Sequence, residues 1–281
     1  MRISEYLLHD MEIVFLIVAG LLGGFLAGLL GVGGGVIFVF VLSIYFQNEI
    51  TEPHELPRWI IANSIFATFF AGLSGSVKNF RSGAFYFREV LLTAIPGAIS
   101  ALAIAWSITE YHWYNKQKFT FFFVGLVLLF FYRLVFKDRG KDHEHEVAGK
   151  AFVFPLIGFF SGIVSALSGL GGGVVMIPLL RELRKVRLQK AASISLGVIP
   201  VFAFTMSIFF LLMSPAPNGI SQEYTLGYID LKASLSLALG VVVAAPFGVK
   251  TARRLSQRLI KVMFATLLLI VALKLIYSAI Q

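Results

Sequence analysis

Gly31-Val32-Gly33-Gly34-Gly35 and Gly169-Leu170-Gly171-Gly172-Gly173 are one motif written twice, 138 positions apart. An apolar helix with further glycines precedes each copy, Gly20 and Gly24 before the first, Gly158 and Gly162 before the second. Later elements return in the same order. Ala62-Asn63-Ser64-Ile65 resembles Ala192-Ser193-Ile194-Ser195, Gly83-Ala84-Phe85 resembles Gly227-Tyr228-Ile229, and Phe119 to Arg133 aligns with Ile260 to Lys274. Two weakly similar units of about 135 residues are what a duplicated transporter fold leaves behind.

The surrounding composition sets the solvent. Of 281 residues 58% are hydrophobic and only 14% charged, against roughly 45–50% and 25% in soluble domains. A spanning helix needs about 20 apolar residues, and stretches of that order occur at 11–30, 59–77, 85–107, 118–136, 151–168, 191–213, 229–249 and 258–279. Two shorter ones, 32–46 and 173–180, follow the glycine motifs. The reading is an all-α polytopic membrane protein. The opening residues carry Arg2 against Glu5, Asp10 and Glu12, the wrong flank for a secretory signal, so Met11 onward is expected to be a retained span. With no cysteine, disulfides, thiolate catalysis, Cys-ligated zinc and iron–sulfur clusters are excluded.

The net charge of +9 is better explained by topology than by nucleic acid. Basic residues gather at 78–88, 133–150, 181–190 and 250–261, whereas 47–58 holds only Arg58 among Glu49, Glu52 and Glu55, and 214–228 holds none. Positive loops stay cytoplasmic, so the chain is expected in a cell membrane, the inner one if the source is bacterial, with both termini non-cytoplasmic. The loop after the first glycine motif then faces outward and its counterpart after the second faces inward. The expected domains are therefore two inverted-topology repeats, 1–136 and 151–281, around a cytoplasmic linker, 137–150. Each repeat is a glycine-tipped helical hairpin plus three transmembrane helices. Lengths leave open whether the hairpins are re-entrant or spanning, although the eight-residue arm 173–180 favours a re-entrant second hairpin.

Non-helical backbone inside a bilayer persists only where protein or a hydrated cavity satisfies it. Consecutive glycines at a helix start expose N–H groups beside the positive end of the helix dipole, and an anion is their natural ligand. The candidate substrate-binding residues are Gly33, Gly34 and Gly35 with Gly171, Gly172 and Gly173. Ser168, Asn63, Ser64, Ser193 and Ser195 are candidate further donors, with Lys78 and Arg81 as charges that draw the anion in. Bland readings stand beside these. Single glycines serve helix packing, hydroxyls bond back to their own helix, and Asn63 is interhelical glue as readily as a substrate contact. Pro96, Pro155, Pro178, Pro200 and Pro246 are kinks or hinges. His143, Glu144, His145 and Glu146 read as a solvated linker rather than a metal site. No catalytic motif is visible, so no catalytic residue, metal or cofactor is expected.

The chain resembles the TauE/SafE family of sulfite and organosulfonate exporters. The resemblance rests on Gly31 to Val36, Gly169 to Pro178, Lys78-Asn-Phe-Arg-Ser-Gly83-Ala-Phe85 and Gly227-Tyr-Ile-Asp230. It implies a permease for small sulfur-containing anions. The segment Val36 to Phe40 lacks a counterpart of Pro178, so unequal halves are expected. The leading expectation is a secondary transporter, exporting sulfite or a sulfonate by alternating access; an anion channel, a membrane-embedded sulfur enzyme or carrier, and a scaffold are the rivals. Expected partners are the small anion and the lipid bilayer but no nucleic acid, with homo-oligomerisation left open.

Overall fold

A computed structural model describes residues 2–47, 49–50, 52–133, 152–215, 224–252 and 254–256, and within 259–273 all but 260, 261, 263, 264, 267 and 272. The linker 137–150, with its His and Glu residues, and most of the stretch 258–279 lie outside the described residues.

Nine helices and one tiny hairpin of strands follow one another among those residues. They are α1 (Arg2–Leu30), α2 (Gly35–Phe46), α3 (Glu55–Arg81), α4 (Phe87–Tyr111), α5 (Lys116–Tyr132), α6 (Val153–Ser168), α7 (Gly173–Arg184), α8 (Leu188–Leu212), β1 (Thr225–Leu226), β2 (Ile229–Asp230) and α9 (Leu231–Ala252). Five segments are long and apolar enough to cross a bilayer: Met11–Leu30, Glu55–Arg81, Phe87–Tyr111, Leu188–Leu212 and Leu231–Ala252. The protein is thus a helical, multi-pass membrane protein. Within the described residues α5 runs for 17 residues and α6 for 16. The second hairpin's return arm is longer than eight residues, because α7 continues through Arg181 and Arg184, whose charges suit a helix C-terminus. Pro96, Pro178, Pro200 and Pro246 sit inside helices that continue past them.

Side chains tie the helix ends into two groups. At the acidic end, Lys232 of α9 bonds Glu12 of α1 at 2.8 Å, Tyr45 of α2 reaches Asp230 at 3.4 Å, and Arg58 of α3 donates to Thr109 O of α4 at 3.0 Å. At the basic end, Arg133 pairs with Glu182, the Arg184 guanidinium covers the Phe154 ring at 4.7 Å, and Lys190 of α8 lies 3.7 Å from Glu89 of α4. The first hairpin, α1–α2, accordingly starts and finishes at the acidic end. The second, α6–α7, starts and finishes at the basic end.

Packing crosses between the halves. α1 lies along α9, α6 along α4, and α3 and α8 meet centrally, with α9 also on α3 and α4 on α8. The first two seams are made by glycine. A methyl group on Gly20, Gly24 or Gly28 of α1 would strike the backbone of Leu237, Val241 or Ala245 of α9, and one on Gly158 or Gly162 of α6 the backbone of Thr93 or Gly97 of α4. These four sequence-flagged glycines, Gly20, Gly24, Gly158 and Gly162, therefore serve close packing. The outer faces are apolar, with Val14, Val18, Leu22, Ile95, Ile99, Val243 and Phe247 exposed, as lipid contact requires.

Candidate functional site

The two glycine motifs fold alike. Gly31, Gly33 and Gly34 have φ of 75, 87 and 73°, and Gly169, Gly171 and Gly172 have 74, 73 and 74°. L-residues rarely adopt this left-handed conformation, so three glycines per turn are a backbone requirement. Gly34 and Gly172 occupy the N-cap positions of α2 and α7. The first turns back onto these caps are Ile37 N–H to Gly34 O at 3.0 Å and Val175 N–H to Gly172 O at 3.1 Å. The N–H groups of Gly35, Val36, Gly173 and Val174 come before those bonds, where a helix has no carbonyl to offer them.

Both turns are buried and they touch. A methyl group on Gly35 would lie 2.6 Å from Leu170 Cα, and one on Gly173 would lie 2.8 Å from Gly31 O and 3.0 Å from Val32 Cα. The central helices bind them reciprocally: Ser64 of α3 donates to Gly169 O at 2.8 Å, and Ser195 of α8 donates to Gly31 O at 2.7 Å. Ser64 thus matches Ser195 rather than Ile194, one residue away from the register the sequence suggests. The positive ends of two helix dipoles are brought together here, which favours a negative charge between them.

Thr68 and Ile199, facing each other from α3 and α8, flank both turns. Methyl groups on Gly33 and Gly171 would meet Thr68 Cγ2 at 3.0 and 2.5 Å, and Ile199 at 3.2 and 3.5 Å. Thr68 is fully buried and its hydroxyl has no partner, a costly arrangement in a dry interior. Ser161 and Ser165 of α6 likewise carry buried, unpartnered hydroxyls, and Ser161 O lies 2.7 Å from a methyl placed on Gly172. The second turn therefore has spare donors beside it. Ser168 is occupied, donating to Val164 O at 2.6 Å and accepting Leu170 N–H at 3.3 Å.

The other sequence candidates lie elsewhere. Asn63 spends its whole capacity at the acidic end, donating to Trp59 O at 2.8 Å and Tyr228 O at 3.0 Å and accepting from Asp230 N–H and the Ser234 hydroxyl. It clamps the β1–β2 hairpin to α3. Ser193 donates to Ala84 O at the basic end, where Lys78 and Arg81 close α3.

Sequence reasoning missed a buried ionic network. Arg58, placed among loop charges by its position, is 1% exposed in the first turn of α3. It pairs with Glu55, donates to Ile108 O at 3.2 Å and Thr109 O at 3.0 Å, and meets the Tyr228 hydroxyl at 3.4 Å. Burial, aided by Glu55, pushes the Tyr228 phenol up to about 12, so it stays a neutral donor. Burial also pushes the Asp230 carboxyl up, against the N–H groups of Ala233 and Lys232. Among the described residues no three His, Cys, Asp or Glu side chains are grouped to hold a metal.

The profile of the family described as sulfite exporter TauE/SafE matches residues 16–275. A probable membrane transporter protein of Methanocaldococcus jannaschii is 23% identical over 90% of this chain and 91% of its own length. Probable membrane transporter proteins of Bacillus subtilis (YunE) and Haemophilus influenzae are 23% and 25% identical, over 96% and 93% of this chain and 99% and 97% of theirs. No solved structure matches.

Proposed function

Because the chain belongs to the sulfite exporter TauE/SafE family, we propose that this membrane transporter carries a small sulfur oxyanion, sulfite or an organosulfonate, between its two glycine turns. The observation that carries the reading is the meeting of two buried helix starts beside Thr68, whose methyl packs against Gly33 and Gly171 and whose buried hydroxyl has no partner. Sulfur oxyanions present acceptor oxygens on several sides, and two sets of main-chain N–H groups with hydroxyls from Thr68, Ser161 and Ser165 match that shape. The family's name points to export.

Alternating access between two inverted halves is the mechanism we favour. Exchanging the halves exchanges the packing pairs, α1–α9 with α6–α4 and α3–α9 with α8–α4, and exchanges the Ser64 and Ser195 hydrogen bonds. The hairpins start from opposite ends of the molecule. The positive-inside rule puts the basic end in the cytoplasm and the start of α1 outside. Direct contact of the two turns leaves no open pore between them, which supports a carrier over an open channel.

Two measurements test this. Thermal-shift screening with sulfite, sulfate, thiosulfate, taurine and sulfoacetate should raise Tm for the transported class alone; identical melting in every anion opposes the reading. In liposomes, Thr68→Val, which keeps the shape and removes the hydroxyl, should weaken apparent anion affinity by about tenfold or more with little loss of stability. Saturable uptake with counter-transport is expected, and unchanged affinity in Thr68→Val would remove that hydroxyl from the site.

A further inference from the structure

Ala84 and Tyr228 hold corresponding places at opposite ends of the molecule. Each follows a left-handed glycine, Gly83 with φ 68° and Gly227 with φ 56°. Each also offers its carbonyl to a central helix: Ala84 O accepts from Ser193 of α8, and Tyr228 O accepts from Asn63 of α3. Their side chains differ by a whole phenol ring.

At the basic end, where only a methyl group stands, there is a cleft of about 120 Å³ whose largely apolar wall carries Asn79, Tyr86, Lys190 and Ser193 among its polar side chains, with Gly28 and Ala192 also lining it. That volume takes an oxyanion with several waters, at about 15 Å³ for each water. The Lys190 ammonium, 3.7 Å from the Glu89 carboxylate, lies over the Tyr86 ring at 4.7 Å, and the N-terminus of α8 adds its dipole at the same wall. A methyl group on Gly31 would lie 2.6 Å from Ala192 Cα, so one residue separates the cleft from the first glycine turn. At the acidic end, Tyr228 is 2% exposed. Its ring stands edge-on to Trp59 of α3 and Phe210 of α8 at 5.6 and 6.1 Å, and its hydroxyl is held by Arg58 and Glu55 at 3.4 and 3.3 Å.

We infer that the basic-end cleft is the vestibule through which an anion approaches the glycine turns, and that Tyr228 is the plug closing the matching route at the acidic end. The structure is then a carrier open toward its basic face. This rests on the proposed transport reading for the identity of the cargo, but its test does not.

The chain has no native cysteine, so single thiols report access directly. The full-length Ser193→Cys variant, in right-side-out and inverted vesicles, is treated with two impermeant methanethiosulfonates of similar size, one bearing a sulfonate and one a trimethylammonium group. The sulfonate reagent should modify it about tenfold faster from the basic face than from the acidic face, and, after correction for intrinsic reactivity, faster than the cationic reagent. Adding Lys190→Gln should reduce that anion preference. Thr68→Cys should be unreactive from the acidic face and become reactive when Tyr228→Ala is added, or Tyr228→Leu should the alanine variant not fold. Equal modification of Ser193→Cys from both faces, no modification from either, preference for the cation, or no effect of the Tyr228 substitutions would overturn the inference. Sided, anion-selective labelling in a protein that moves no sulfur oxyanion would sink the substrate instead and leave the vestibule standing.

Discussion

Gly35→Ala will abolish transport while leaving the protein folded. Gly35 lies in the first turn of α2 without a left-handed φ, so alanine suits its backbone and even raises helix propensity by about 1 kcal/mol. What it lacks is room. The added methyl meets Leu170 Cα at 2.6 Å, Leu170 C at 2.9 Å and Gly169 O at 3.0 Å, all main-chain atoms of the other hairpin that cannot rotate aside. Overpacking of this kind costs about 1–3 kcal/mol, offset in part by the propensity gain of about 1 kcal/mol, so Tm should fall by no more than a few degrees while the two turns are wedged apart. Gly173→Ala should act alike, since its methyl meets Gly31 O and Val32 Cα. Gly125→Ala, with nothing within 4 Å, is the control. Flux in Gly35→Ala at the level of the control would show that contact between the turns is dispensable.

Arg58→Met should give the largest loss of stability of any single substitution at the acidic end. The guanidinium is almost wholly buried and serves Glu55, two α4 carbonyls and Tyr228. Methionine fills much of the space but leaves the Glu55 carboxylate without its counter-charge. Removing one partner of a buried pair costs about 3–5 kcal/mol, or a fall of roughly 10 °C in Tm for a protein of this size. Adding Glu55→Gln should recover part of that loss, because a neutral amide is cheaper to leave there. A Tm in Arg58→Met equal to that of the unmodified protein would show the network to be energetically idle.

The membrane character and the two glycine turns were legible in the sequence, because apolar length and repeated glycines report directly on backbone needs. Side-chain partnerships across the interior were not. Arg58 reads as a loop charge because hydropathy ends a span at the first charge, while the helix itself continues to Glu55 and buries the arginine against α4. Thr68 is an ordinary threonine in an apolar helix; only the folded chain sets its methyl against both turns and leaves its hydroxyl buried without a partner. Asn63 was ambiguous between glue and ligand contact, and four hydrogen bonds resolve it as the clamp on β1–β2. The mismatch of Ala84 and Tyr228 was visible in the alignment of the halves, but its meaning required seeing one place empty and the other filled.

The glycine seams also bear on how such a chain is made. α1 leaves the ribosome long before α9, and the stripe of small residues it presents is covered only when α9 arrives; α4 must likewise wait for α6. Neither glycine seam can form within one half, so the small-residue faces of the first half stay uncovered until the second is inserted. Fragments cut at the linker would be expected to assemble only when produced together.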